Sequence, residues 1–232
     1  MKTPTKSLAK VEIGYGGTNT RYGDIRADEF LRELKGKKGI GKYREMRDND
    51  ATIGAIMYAT EQVLRDVQLK IVPAIKDDEE AKKYADYVEQ VFNDMEHTLD
   101  DHISEALSSL TYGFSLFEVV YKRRVGPNLL DKKRNSKYTD GYWGVRKLAS
   151  RAQWTIQDFD VDKKSGDVLG VRQEFALMGA SSSYIPKDKL IHYRTTTVNN
   201  DPSGRSILRN AYKSYTFLTN LQAIEAIAVE RE

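Results

Sequence analysis

The last stretch of the chain, Ser203 to Glu232, contains no proline and, after Gly204, no glycine, so it reads as one helix opened by Asp201, Pro202 and Ser203. Ile207, Ala211, Leu218, Leu221, Ile224 and Ala228 fall on one apolar stripe, while Tyr212, Tyr215, Phe217 and Ile227 widen the apolar surface beyond the usual single face. Any fold for this chain must give that helix more than one neighbour. Glu230 and Glu232 lie where a helix C-terminus disfavours anions, and no glycine or asparagine turns the chain out. The sequence thus reads as stopping inside an element, as the front part of a longer protein would.

A chain of 232 residues holds one substantial core or two small ones. No apolar run approaches the ~18 residues of a membrane span. The N-terminal residues Met1 to Lys10 carry positive charge without the apolar core of a secretory signal. The absence of cysteine excludes disulfides and thiolate zinc sites. Synthesis in a cytoplasm fits these features. Net charge is +3, too small to argue for nucleic-acid binding, but the charges are sorted. Bases cluster from Lys35 to Arg47 and from Lys122 to Lys137, acids from Asp77 to Glu80 and from Asp86 to Glu105. Solvated faces are the ordinary reason for such blocks.

Residues 1–40 read as an extended arm and linker, with Gly14, Gly16, Gly17 and Gly23 among few apolar groups and one short helix over 27–35. Gly36 to Lys42 has the G-x-x-x-x-G-K spacing of a phosphate-binding loop. Tyr43 replaces the hydroxyl residue that holds magnesium and no buried strand precedes it, so a flexible basic linker is the reading. Asp48, Asn49 and Asp50 cap a helix carrying Ile53, Ile56, Met57, Val63, Leu64 and Val67; residues 68–73 alternate like a short strand. Acids at Asp77 to Glu80 open a helix with Ala81, Tyr84, Ala85, Val88, Val91, Phe92 and Met95 as its buried stripe. Thr98 and Asp101 form a capping box for a third helix, which Gly113 ends. Strands follow at 114–122, 142–148, 153–159, 168–177 and 190–195, with turns at Gly126-Pro127 and 163–167 and a loop at Ser181 to Ser183. Helices, then a strand meander, then a long helix predict an α+β fold with a mostly antiparallel sheet, residues 41–202 forming one domain and 203–232 the departing helix.

The chemistry is sparse. His97 and His102 are five apart, which puts them on different faces of a helix, and His192 sits in a strand beside Leu190 as a satisfied sheet histidine. Asp101 and Glu105 share a face, but on a helix already rich in acids a solvated or partner-facing surface outweighs a metal site. Asp158, Asp160 and Asp162 begin like a calcium loop, yet the glycine at the sixth position and the glutamate at the twelfth are missing. G-x-S-x-G is absent. The 14 Tyr and 7 Phe fall at core-like positions and do not interleave with bases as in a stacking platform. No motif asks for catalysis or a cofactor.

Leu107 to Lys122, a helix-glycine-strand junction, resembles that of tailed-bacteriophage portal proteins. Four other stretches agree in order and distance: Asp50 to Ile56 with Val72-Pro73 downstream, Arg151 to Phe159, Ile185 to His192, and Gly204 to Tyr212 leading to Glu230-Arg231. The resemblance implies a structural subunit of a ring, usually of twelve copies, at one capsid vertex, with double-stranded DNA passing through its channel without base reading. It implies the major capsid protein, a terminase motor and a head–tail adaptor as partners, a place in the virion, no cofactor and no membrane. The chain corresponds to the wing and a helix heading for the stem, and lacks the segments expected to form the clip, second stem helix and crown. In a ring, a basic patch of Lys122, Arg123, Arg124, Lys132, Lys133 and Arg134 faces DNA or the next subunit, and Glu79, Glu80, Asp100, Asp101 and Glu105 form the acidic side of the joint. The competing readings are a metal-dependent nucleic-acid-processing enzyme using Asp100, Asp101 and Glu105, and another minor capsid or connector protein.

Overall fold

The structure is a computed structural model that describes residues 29–67, 69–162, 165–174, 182–196 and 200–231. Residues 1–28 of the expected N-terminal arm, Lys163 and Lys164 of the predicted turn, the end of the predicted strand from 175 to 177, and Ser181 lie outside those residues. Six helices are described: α1 (Gly36–Asn49), α2 (Ala51–Arg65), α3 (Glu79–Asn93), α4 (Leu99–Ala106), α5 (Ser108–Tyr112) and α6 (Tyr212–Glu230). Six strands are described: β1 (Phe114–Arg123), β2 (Trp143–Arg151), β3 (Ile156–Val161), β4 (Val168–Gln173), β5 (Ser183–Pro186) and β6 (Leu190–Arg194). All pairings are antiparallel, in two sheets ordered β2-β1-β6 and β3-β4-β5. The α+β expectation holds, with two small sheets in place of one.

The predicted basic linker at 36–43 is the first half of α1. Gly36 takes a positive φ of 53° to start it, and a Cβ at Gly39 would lie 2.1 Å from the Leu34 carbonyl oxygen. Glycine therefore serves close packing here, and burial of Ile40, Tyr43 and Met46 on one face outweighs its poor helix propensity. Asp50 caps α2, its Oδ1 accepting from Ile53 N at 2.9 Å. Asp78 does the same for Glu80 N at 2.9 Å at the start of α3. Thr98 and Asp101 form the predicted capping box of α4, with Asp101 N donating to Thr98 Oγ1 at 3.1 Å. The predicted strand at 68–73 is not formed over 69–73, where Leu69 and Val72 are exposed. The supposed buried stripe of α3 is likewise not buried within the chain.

β1 is the hub. It pairs with β2 on one side and β6 on the other, and it supplies Phe114, Leu116 and Phe117 to the core. Gln153, in a 3-10 turn between β2 and β3, donates from Nε2 to the Phe114 carbonyl at 3.1 Å and to Ser108 Oγ at 2.8 Å, tying the second sheet to the first. Ile156, Phe159, Val171 and Ile185 of that sheet join Met46, Tyr112 and Leu208 in one apolar cluster.

The long helix begins later than predicted. Gly204 has φ 58° and Gly113 has φ 94°; a Cβ at Gly204 would sit 2.1 Å from Gly113 O, and one at Gly113 would sit 2.6 Å from Ser203 O. Two backbones cross where neither residue has room for a side chain. That crossing takes residues 203–206 out of helical geometry. Ser206 then caps a 3-10 turn (Ile207–Asn210), Leu208 N donating to its Oγ at 3.1 Å, before α6 starts at Tyr212.

Candidate assembly surface

The second half of β1 alternates inward and outward. Lys122 and Arg124 lie on the same face as Leu116 and are buried, while Tyr121, Arg123 and Val125 are exposed. Lys122 Nζ donates to the carbonyl oxygens of Asp94 and, at 2.7 Å, of Asn135, and lies 3.1 Å from Asp94 Oδ2. Asp94 also accepts from Ser136 Oγ at 2.7 Å and from Lys137 N at 2.8 Å. Burial pushes this carboxyl up, but the hydrogen bonds from Lys137, Ser136 and Lys122 together with the lysine's charge more than offset it, leaving Asp94 below the usual aspartate range. Arg124 lies between the rings of Tyr138 (4.1 Å) and Tyr87 (5.0 Å), and its Nη2 reaches Gln90 Oε1 and Asp140 Oδ2, each at 2.7 Å.

Lys122 and Arg124 are therefore removed from the predicted basic patch. They belong to a clasp that holds residues 126–142, the excursion between β1 and β2, against the C-terminal half of α3. Asp94, Gln90, Tyr87, Tyr138 and Asp140 went unnoticed in the sequence. The signal was present, because a strand's two-residue period puts positions 122 and 124 on the face of Leu116 whatever their charge.

The rest of the patch faces solvent. Arg123 stacks over Trp143 at 4.8 Å, and Lys132, Lys133 and Arg134 form an exposed 3-10 turn capped by Asp131. The acids Glu79, Glu80, Asp100, Asp101 and Glu105 are also exposed. Glu79 pairs with Lys82 at 2.8 Å, and Glu80 accepts from Tyr84 Oη at 3.0 Å. Hydrogen bonds from the Thr98 hydroxyl and backbone hold Asp101 below the usual range. Among the described residues no ion pair joins Lys132, Lys133 or Arg134 to these acids. The two blocks meet within the subunit at Lys122 and Asp94, while these exposed members of each do not pair with one another.

α6 is the least covered element. Tyr212 bonds Glu33, and Tyr215 Oη donates to Glu45 Oε1 at 3.2 Å; from Phe217 to Arg231 every residue is exposed. That surface includes Phe217, Leu218, Leu221, Ile224, Ile227 and Val229. On α2 Ile56 and Val63 are exposed as well, and so is Val67 just beyond its end. Apolar area on this scale marks an interaction surface.

No group of acids and histidines able to hold a metal exists among the described residues. His102 is buried on α4 with Nε2 2.9 Å from Tyr193 Oη, and burial lowers its pKa; His97 precedes the helix, its ring centre 6.4 Å from that of His102. His192 stacks on Phe159 at 5.3 Å, and burial chiefly, with the Arg194 charge, lowers its pKa to about 4. Its Nε2 has no partner, so the expected satisfied histidine is only half satisfied. A cleft of about 660 Å³ lies over Phe114, Phe159 and Tyr43, but two of its rim charges are already engaged, Arg209 with Glu29 and Asp158 with Arg172 at 3.3 Å. Among the described residues no helix is long and apolar enough to cross a membrane.

Residues 41–231 match the sequence profile of the portal protein of Mu bacteriophage. No curated protein matches the sequence. Solved structures share the fold, two gene transfer agent chains among them. A chain described as the neck of an empty gene transfer agent particle computed with C6 symmetry superposes with a TM-score of 0.58 at 12% identity, covering 90% of this chain and 51% of that one. A chain described as the virion of a native gene transfer agent particle gives 0.56 at 11% identity, covering 90% and 48%. This chain spans about half the length of the solved chains it matches.

Proposed function

The chain belongs to the family of portal proteins typified by that of bacteriophage Mu, and from that premise we propose that it is part of a subunit that closes with its own copies into a ring at one capsid vertex, a conduit for double-stranded DNA. Residues 41–202 form the wing-like body and α6 leads toward the stem. The observation that carries the reading is α6, a helix of 19 residues and hence about 28 Å long, whose apolar side chains are exposed around it from Phe217 onward. A lone helix in water gains nothing from such residues, whereas a ring places other copies of the subunit beside each one.

The role is structural. DNA sliding through a ring is held by phosphate electrostatics without base reading, and a separate terminase ATPase supplies the energy of translocation. The capsid protein and a head–tail adaptor dock on the outside, in a virion assembled in the host cytoplasm. The exposed bases Arg123, Lys132, Lys133 and Arg134 and the exposed acids Glu79, Glu80, Asp100, Asp101 and Glu105 suit a heterologous joint, in which two different surfaces meet around the ring. Each exposed pair contributes about 0–1 kcal/mol, and repetition sets register.

Negative-stain imaging of the purified full chain tests this. Rings with a central hole are expected, without magnesium-dependent DNA or ATP hydrolysis. Monodisperse particles with no hole overturn the reading in favour of another minor capsid or connector protein, and hydrolysis abolished by Asp101→Ala overturns it in favour of an enzyme.

A further inference from the structure

The excursion between β1 and β2 carries two adjacent leucines at its tip, Leu129 at 96% and Leu130 at 99% exposure. A single exposed leucine is common on any protein. This pair differs because the backbone beneath it is fixed. Asn128 Oδ1 accepts from Leu130 N and Asp131 N, both at 3.0 Å, and Asn128 N donates to Asn135 Oδ1 at 2.7 Å. Ser136 N donates to Gly126 O at 3.1 Å and Gly126 N to Tyr138 O at 2.9 Å, closing the base of the loop. Below that base sits the buried Lys122–Asp94 and Arg124–Asp140 clasp. The conformational cost of presenting the leucines is met within the subunit, which is the property of an interface anchor.

We propose that the Leu129–Leu130 tip is a knob that seats on a second copy of this chain, against the ridge of α3 formed by Glu80, Tyr84 and Val88. The proposal rests on the ring reading and deepens it. Glu80, Tyr84 and Val88 follow each other at four-residue steps on one exposed face of α3, an acid at the start and apolar surface beyond it. The knob has the complementary pattern, two leucines followed by exposed Lys132, Lys133 and Arg134. In α3, Glu79, Glu80, Asp86 and Glu89 outnumber Lys82 and Lys83. The adjoining flank of the same helix, through Tyr87 and Gln90 and on to Asp94, already holds the subunit's own excursion and leaves Glu80, Tyr84 and Val88 exposed beside it. Each subunit thus offers a knob in one place and a seat in another, the arrangement that propagates around a ring.

The chain has no cysteine, so Leu130→Cys and Tyr84→Cys each introduce its sole thiol. Full-chain subunits carrying one or the other are co-assembled in equal amounts, oxidised mildly and run on a non-reducing gel. A two-subunit band at least about tenfold stronger in the mixture than with either variant alone is expected. The Leu129→Ser/Leu130→Ser variant is expected to keep its melting temperature and to yield about tenfold fewer rings. Rings that form without the cross-link overturn the knob and its seat, whatever the serine variant does. Full assembly of the serine variant also overturns the proposal and assigns the leucines to a different protein. If the unmutated chain forms no rings, the ring reading fails and the knob with it, an outcome distinct from rings that lack the cross-link.

Discussion

Two phenylalanines a hundred positions apart separate the two parts of this molecule. Phe117 in β1 is 0% exposed and touches the rings of His102 and Tyr193; Phe217 in α6 is 71% exposed. The core around β1 is closed by its own chain, with most of its buried apolar residues in one cluster and the buried Lys122 and Arg124 paired to Asp94 and Asp140. α6 is left unsatisfied once it passes Tyr215. The difference shows that one chain can hold an element closed by its own packing beside another that its own packing leaves bare.

The same substitution at both sites should break the symmetry of side-chain type and leave only environment. Phe117→Ala should cost about 3–5 kcal/mol, the range for deleting a buried aromatic. Phe217→Ala should change the unfolding free energy of the unassembled chain by less than about 0.5 kcal/mol and act only on ring yield. Urea unfolding below the assembly concentration measures both. Equal losses would erase the distinction.

The clasp sharpens the body's side of the comparison. Asp94→Leu alone strands the Lys122 ammonium in a site where both side chains are almost fully buried, and should cost about 3–5 kcal/mol. Asp94→Leu with Lys122→Met should recover most of that, since a well-packed apolar pair can replace a buried ion pair. A double variant no better than the single one would mean that the hydrogen bonds of Asp94 to Ser136 and Lys137, and not the charge pair, hold the excursion.

Stability should also fall with acid in a way confined to the body. The pKa of His192 is about 4 in the fold against 6.5 in the unfolded chain, so the unfolded state takes up the proton first. The contribution is fully present above pH 6.5 and is lost as pH falls toward 4, by at most about 3 kcal/mol at about 1.4 kcal/mol per unit. The lowered pKa of His102 acts in the same direction. His192→Gln should flatten the pH dependence of the melting temperature over that window; an unchanged slope would acquit His192. The smallest effect on folding is expected from the Lys132→Glu/Lys133→Glu/Arg134→Glu variant, within about 0.5 kcal/mol of the unmutated chain by the same urea measurement, because all three side chains are exposed.

Much of the body was legible because its signals are local. The capping box at Thr98, the glycine stop at 113 and the β-branched run of β1 each need only neighbouring residues. α1 was hidden because Gly39 is there to touch Leu34, a contact that propensity does not show. β5 was hidden because an edge strand of four residues ending in Pro186 reads as loop. In α3 and α6 the residues read as apolar stripes stand largely uncovered, Tyr84, Val88, Phe217 and Ile224 among them, because periodicity does not show whether the chain's own packing reaches a face. Lys122 and Arg124 were misplaced because charge was weighed above strand alternation.

Hydrogen exchange on the full chain, followed amide by amide in dilute monomer and in assembled rings, tests the central contrast most directly. The amides of β1 should be protected in both states, and those of residues 217–230 in α6 should exchange quickly in the monomer and become at least about a hundredfold slower in the ring. Equal protection of α6 in both states, or fast exchange in both, would contradict the claim that other copies of the chain complete it.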